Sequence, residues 1–404
     1  MVSNGLDTAG KQIRMFRTFI PPEGMTEAKA RKAAMLEAER FEADVKADRI
    51  SERLKFGVYA EIWMRDYCRE SVAPTTYDRN RIAIDQLMSV FGHLYLDQLT
   101  PLQIQRGYMT IKKNGYTKGG IHREYSVQTI RRLHQVLSSS LSTAVRWGKM
   151  PENPCNRVVL PRDSNPDKSV KSLTDDETDS FLRFLEEPYA YVVTRKNGQE
   201  IKGTKMLPLQ YRIFLKLVIF GSFRREELIP LKWSDIDQNS CTITIRRAAA
   251  RVKDQGLVIK DTKTKGSRRS VTIPKELIEE LQELKRWQDK LRYDCGTKWE
   301  GNDENWVFIQ SLGKMMDLSS PNKVMRETIK RYNASHEDQL PQINIHGLRH
   351  TSATLLIANN VDIRTVSARL GHSNTSTTMN IYAHALRKKD QEAADVLAAI
   401  FEKK

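Results

Sequence analysis

The sequence predicts a multidomain chain, mainly α-helical, whose second half mixes helices with a small antiparallel β-sheet. Three observations carry this expectation. The 404 residues suffice for two or three domains with their own cores. Helical periodicity fills residues 56–161, each run bracketed by capping and stop residues. Beyond a proline-containing linker, the short strand-like runs "CTITIRR", "GLVIK" and "RRSVTIP" lie among further helical patterns.

Residues 1–50 open with one expected strand from about Lys11 to Phe19. An Ala-, Glu- and Lys-rich helix follows, with Thr26 as its N-cap. One strand and one helix enclose no core, so this segment reads as the end of a small domain whose earlier strands are missing, or as a frayed extension. Four helices are expected in 56–161. The first sets Val58, Tyr59, Ile62, Trp63 and Tyr67 at helical spacing. The second is capped by Thr75 and stopped by Gly92; the third begins at Thr100-Pro101; the fourth ends at Gly148. Basic residues gather at the tips of this unit: Lys112, Lys113, Lys118, Arg123, Arg131 and Arg132. Such runs are either solvated faces or contacts to a DNA backbone.

A linker over 162–170 leads to a capping signal, Thr174 with Glu177, and a third unit is expected from 171 onwards. Near 191–206, "YVVTRKNGQEIKGTKML" predicts a β-hairpin turning at Asn197-Gly198, dotted by Lys196, Lys202 and Lys205. No internal repeat or low-complexity tract stands out.

The formal charge is +16, from 66 Lys and Arg against 50 Asp and Glu. A surplus of that size favours a polyanionic partner, nucleic acid first; the competing reading is a merely soluble basic protein. Cys68, Cys155, Cys241 and Cys295 form no CxxC pair and read as reduced packing residues rather than a zinc site or disulfide framework. The longest apolar run, "IFLKLVIF", is too short to span a bilayer. With no apolar leader at the N-terminus, a cytosolic location is expected.

Four clusters hold candidate chemistry. "INIHGLRH" places His346 and Arg349 three residues apart, on one face of a helix, with His350 beside them. Two histidines four apart suit a metal, but the HExxH glutamate is absent and Arg349 opposes a cation; an anion site fits better. In "FGSFRREELIPLKWSDID", Glu227 either orients a buried Arg224 or joins it in a surface ion pair. Lys263 sits in a tight basic turn and, taken alone, reads as solvated. In "RLGHSNTSTTMNIYAH", Gly371 permits a sharp turn before His372, and Ser376 or Thr377 caps a short helix carrying Tyr382.

Taken in order, Arg-x-x-Glu, Thr-Lys-Thr, His-x-x-Arg-His, Leu-Gly-His and Tyr resemble the tyrosine recombinases, the phage-integrase family, over about Lys171 to His384. The pattern is most similar to integrases of conjugative transposons and phages of Gram-positive bacteria. The resemblance implies that Tyr382 attacks a scissile phosphate and forms a 3′-phosphotyrosine bond. It implies that Arg224 and Arg349 hold the non-bridging oxygens and that Lys263 protonates the leaving 5′-oxygen. His346 then accepts the tyrosine proton, His372 hydrogen-bonds the phosphate, Glu227 braces Arg224, and His350 is a supporting residue. The usual Thr-Gly-Leu-Arg reads Gly221-Ser222-Phe223-Arg224 here. Arg224 is preferred over Arg225 because it lies three residues before Glu227 and nine before Trp233.

The resemblance extends to architecture. Residues 56–161 look like a core-binding domain that forms a C-shaped DNA clamp with the catalytic domain, 171–384. Residues 1–50 look like the last strand and helix of an arm-binding domain. The Asn197-Gly198 hairpin lies outside the minimal family pattern and is expected to be an insertion that touches DNA. The tail, 385–404, reads as an amphipathic helix with Ala393, Val396, Leu397, Ile400 and Phe401 in one stripe. It packs on its own domain or docks on a neighbouring protomer. Implied partners are double-stranded attachment sites, a homo-tetramer on paired DNA and an accessory bending or excision factor, in a bacterial cytoplasm at the nucleoid. Neither metal nor cofactor is implied, since side chains fill every role and the phosphotyrosine bond keeps the energy for resealing. Two alternatives stay open: a non-catalytic regulator using "VDIRTVSARLGHSNTSTTMNIYAH" as a helix-turn-helix, and a type IB topoisomerase.

Overall fold

The computed structural model describes residues 2–6, 12–15, 17–22, 24–46, 53–162, 171–194, 200–261, 268–301, 304–372 and 379. The chain divides into two units, Met1–Pro166 and Asp167–Lys404.

In the first unit, β1 (Val2–Leu6) pairs antiparallel with β2 (Gln12–Met15), and α1 (Glu27–Lys46) follows. The expectation of a single strand is thereby corrected. "VSNGL" contains Asn4-Gly5, poor strand formers, so propensity conceals β1.

Five helices follow, α2 (Phe56–Trp63), α3 (Arg69–Ser71), α4 (Pro74–Phe91), α5 (Pro101–Asn114) and α6 (Val127–Arg146), and all but the short α3 contribute buried side chains to one core. A π turn, Met64–Cys68, joins α2 to α3. Trp63, Leu87, Phe91, Tyr108, Leu137 and Leu141 are among the core side chains. The buried stripe of α2 is Phe56, Tyr59, Ala60 and Trp63; Val58, expected within the stripe, is 52% exposed. Helix α4 begins at Pro74 with Ala73 as N-cap, not Thr75, because a proline at the first position has no N–H to satisfy. Thr100 caps α5 as expected, its hydroxyl accepting from the Gln103 N–H at 3.3 Å.

The unit is not wholly helical. A small hairpin, β3 (Tyr116–Lys118) with β4 (Ile121–Arg123), turns at Gly119-Gly120, both with positive φ. Gly-Gly between two short runs is the sequence signal for it. Lys118 and Arg123 stand exposed on this hairpin, and Lys113 and Arg132 are exposed on the neighbouring helices. Lys112 pairs with Glu124 at 3.6 Å, and Arg131 donates to the Pro161 carbonyl at 3.5 Å.

The second unit starts with α7 (Asp175–Leu185), opened by the expected capping box: Thr174 Oγ1 accepts from Glu177 N at 3.2 Å, and Glu177 Oε2 from Thr174 N at 2.8 Å. Strands β5 (Tyr189–Thr194) and β6 (Glu200–Lys205) form the expected hairpin; its Asn197-Gly198 turn and Lys196 lie outside the described residues. Lys202 and Lys205 are exposed on β6, and the Lys205 ammonium lies 4.7 Å from the Tyr191 ring centre.

Helix α8 (Leu209–Gly221) is apolar on nearly every side and forms the axis of the second core, with Ile213, Phe214, Leu217 and Val218 buried. The short α9 (Arg225–Leu228) leads to a three-stranded sheet in which β8 (Thr242–Ile245) lies between β7 (Ile236–Asp237) and β11 (Arg269–Thr272). A separate hairpin pairs β9 (Arg247–Val252) with β10 (Gly256–Asp261). Strand β9, "RAAARV", escapes a sequence reading because alanine is a weak strand former; its partner supplies Leu257, Val258 and Ile259. Helices α10 (Lys275–Cys295), α11 (Ser320–Ser335) and α12 (Ile345–Ala358) pack against α8, and α13 (Ile363–Leu370) packs against α12 and β11. No described helix is long and apolar enough to cross a membrane.

The end of α8 sets up the site. Ser222 adopts left-handed backbone at φ 53°, and Phe223 is fully buried. A Cβ on Gly221 would fall 2.0 Å from the Phe223 ring, so only glycine permits the reversal that buries Phe223 and turns Arg224 away from the core. Gly221→Ala should therefore cost about 1–3 kcal/mol through overpacking. A lowered urea midpoint of the second unit checks this; an unchanged midpoint would mean that Phe223 shifts freely.

Candidate active site

The turn after α8, the start of α12 and the turn after α13 meet over β11. Glu227 is the buried centre, with 4% of its side chain exposed. Its Oε2 accepts from the Arg224 backbone N–H at 2.9 Å, and its Oε1 from Arg224 Nη1 at 2.7 Å. Arg269, reaching up from β11, donates Nη1 and Nη2 to the same carboxylate at 3.0 and 2.7 Å. Burial alone would raise the Glu227 carboxyl. Hydrogen bonds and charge from Arg269, then Arg224, outweigh it and hold the group at about 2.

Helix α12 begins where Asn344 Oδ1 accepts from the Gly347 N–H at 2.9 Å. Its first turn projects His346, and Arg349 and His350 follow on buried positions. Arg349 is 2% exposed, and a guanidinium this deep needs acceptors. Nη1 donates to the Ser222 carbonyl and Nη2 to the Leu370 carbonyl, both at 2.5 Å. Nη2 also lies 3.2 Å from His372 Nε2, which must accept because a guanidinium only donates. Arg224 Nη2 donates to the Gly371 carbonyl at 3.0 Å. Gly371 supplies the expected sharp turn at φ 65°.

The site holds its imidazoles neutral. Burial, then the Arg349 charge, lowers His346; the same causes in the same order lower His372 to about 4. His350 is held at about 4 by burial, then by His346. The His346 and His350 rings meet edge to face with centres 4.4 Å apart. Arg349, lowered to about 9 by burial and then by Arg224, keeps its charge at neutral pH.

These groups border a cavity of about 330 Å³ lined by Phe223, Arg224, Arg225, Glu226, Asn322, Asn344, Ile345, His346 and Arg349. Arg225 pairs with Glu226 at 2.6 Å, whereas Arg224 turns toward Glu227 and Gly371. Of the expected residues, Arg224, Glu227, His346, Arg349, His350 and His372 are brought together. Lys263 and Tyr382 lie outside the described residues, as does the 385–404 tail. No group of three metal-suited side chains occurs among the described residues. Arg269 was not anticipated. Its signal was there: it shares the inward face of β11 with Val271, and an inward arginine requires a partner.

Two preset guanidiniums border this cavity on a mainly helical fold, with a neutral imidazole in its lining, an arrangement able to receive an anion. Comparison with known proteins gives it a family. The phage integrase family signature matches residues 171–389, and the phage integrase N-terminal SAM-like domain matches residues 55–111. The chain is 28% identical to the XerC-like tyrosine recombinase of Caldanaerobacter subterraneus subsp. tengcongensis, over 99% of this chain and 95% of that one. It is 25% identical to the ICEBs1 integrase of Bacillus subtilis, over 92% and 90% of the two chains. It is 27% identical to the Tn916 transposase of Enterococcus faecalis, over 72% and 64%. Its fold matches that of the Tn1549 transposon integrase bound to transposon right-end DNA, with a TM-score of 0.67, 20% identity and 85% and 100% coverage.

The protein is a DNA strand-breaking and rejoining enzyme of the site-specific recombinase class. It belongs to the phage integrase family, the tyrosine recombinases.

The Glu227 geometry gives a pH dependence with a definite sign. A carboxyl depressed when folded stabilises fully above its unfolded value near 4.5, and that contribution is lost as pH falls toward 2. Urea unfolding between pH 5 and pH 2 should show this loss, and Glu227→Gln should flatten it while lowering stability at pH 7. An equally steep fall in the variant would assign the slope to other carboxylates.

Proposed function

We propose that the cavity receives a scissile DNA phosphate and that Tyr382 attacks it, leaving the chain joined to the DNA through a 3′-phosphotyrosine bond. One observation carries this reading: Arg224, His346, Arg349 and His372, drawn from three separate segments, converge at one site. The phosphate gains negative charge in its pentavalent transition state. Arg224 and Arg349, already fixed by Glu227 and by backbone carbonyls, stabilise that charge without reorganising. His346, kept neutral, takes the phenolic proton, and His350 holds its ring edge to face. His372 hydrogen-bonds the phosphate, and Lys263 protonates the departing 5′-oxygen.

The helical unit, 56–161, grips the duplex through Lys112, Lys113, Lys118, Arg123, Arg131 and Arg132. The β5–β6 hairpin adds contacts from Lys196, Lys202 and Lys205. In this reading 171–384 is the catalytic domain, 1–50 is an arm-binding-like segment, and 162–170 links the units. Lambda integrase is known as a tetramer bound to a Holliday junction, and its fold resembles this chain with a TM-score of 0.53 at 13% identity. We extend that assembly to this protein: four copies on paired attachment sites of a mobile element, coupled through the 385–404 tails and aided by a DNA-bending or excision factor at the bacterial nucleoid.

Tyr382→Phe should bind DNA normally but form no covalent band on a nicked suicide duplex; an adduct from that variant would move the nucleophile elsewhere. Arg224→Ala should slow attachment by about 10²–10³-fold, the cost of one preorganised donor. With His346 lowered, its neutral form persists as pH drops, so the acid limb of the attachment rate should lie below the usual histidine value of about 6.5. A limb above that value would exclude His346 as the base.

A further inference from the structure

Three consecutive carbonyls close α13, and three guanidiniums take them. The Arg369 oxygen accepts from Arg269 Nε at 2.7 Å, the Leu370 oxygen from Arg349 Nη2 at 2.5 Å, and the Gly371 oxygen from Arg224 Nη2 at 3.0 Å. A helix leaves its last carbonyls without intrahelical partners, at the negative end of its dipole, so cations gather there naturally. Two of these three arginines are the proposed phosphate ligands. The third is Arg269, with only 8% of its side chain exposed and its remaining nitrogens fork-to-fork on Glu227. Its guanidinium lies 5.8 Å from the ring centre of Phe223, the residue just before Arg224. A Cβ on Gly371 would come within 2.8 Å of Arg269 Nη1, so the left-handed glycine packs directly against it.

We infer that Arg269 is a positioning residue for the phosphate clamp, locking Glu227 and the α13 C-terminus into one frame from which Arg224 and Arg349 are aimed. A carboxylate paired with Arg224 alone would follow that side chain as it moved. The second fork fixes the carboxylate plane, and the bond to the Arg369 carbonyl fixes the fork. Lysine, a point charge with no fork, cannot make these bonds together. Arg269 itself donates away from the cavity, into Glu227 and the Arg369 carbonyl, so it acts through the two clamp arginines.

The inference rests on the strand-transfer reading, and the experiment separates the two. Full-length wild type, Arg269→Lys and Arg269→Met are given nicked suicide duplexes from the ends of the element. The cleavage position carries either a phosphodiester or a methylphosphonate, in which a methyl group replaces one non-bridging oxygen and removes the charge the clamp serves. Both variants should bind the phosphodiester duplex like wild type and attach to it about 100-fold more slowly. Their deficit relative to wild type should shrink by about tenfold on the methylphosphonate. An equal deficit on both duplexes, the mark of a merely weakened fold, would overturn the inference, as would wild-type rates. If the Met variant does not fold, the Lys variant, which keeps the charge, decides. No adduct with the wild-type chain on the phosphodiester would instead remove the strand-transfer reading and the inference with it.

Discussion

A carboxylate sunk among guanidinium groups sets the geometry of this protein's centre. Glu227 accepts from Arg224 twice and from Arg269 twice, and an ionised group so deep is tolerable only because every lone pair it exposes is met. The surrounding structure serves that arrangement. Gly221 and Ser222 reverse the chain so that Arg224 arrives, the β8–β11 pairing delivers Arg269, and α13 ends where its carbonyls are wanted. Burying like charges side by side is costly. Here the cost is offset by one carboxylate and a short ladder of carbonyl dipoles.

Much of this centre was legible in the sequence. Arg224, Glu227, His346, Arg349 and His372 were expected because the motifs that carry them, weak singly, resemble those of the tyrosine recombinases when taken in order. The capping box at Thr174 and the cap at Thr100 were legible because they are local chemistry. What escaped was non-local. Arg269 stands 42 residues from its carboxylate, and only the strand pairing of β11 brings it there. Strand β9 is invisible in "RAAARV" because its partner, not its own composition, makes it a strand. Thr75 is not the cap because Pro74 opens the helix one residue earlier, which leaves Ala73 at the N-cap position. The turn at Gly119-Gly120 was readable but was hidden by the helical patterns on both sides.

Charge does two different jobs along the chain. The surplus of +16 is a surface property, carried by side chains such as Lys113, Lys118, Arg123 and Arg132 that stand in solvent and draw a polyanion from a distance. The buried arginines do the opposite. They are held too tightly to search for a partner, and in the proposed reaction they need no adjustment when charge develops beside them. The neutral imidazoles complete the division, because a protonated His346 or His372 would add repulsion to a cluster already rich in cations.

The cavity bordered by Arg224, His346 and Arg349 has a practical consequence at the bench. A space of about 330 Å³ walled by two preset guanidiniums cannot tell a nucleic acid's phosphate from a free tetrahedral oxyanion by charge alone. On the proposed reading, sulfate or inorganic phosphate in a buffer competes as a ligand, over and above its contribution to ionic strength. The choice of salt, chloride against sulfate, becomes a variable of every rate measured on this enzyme.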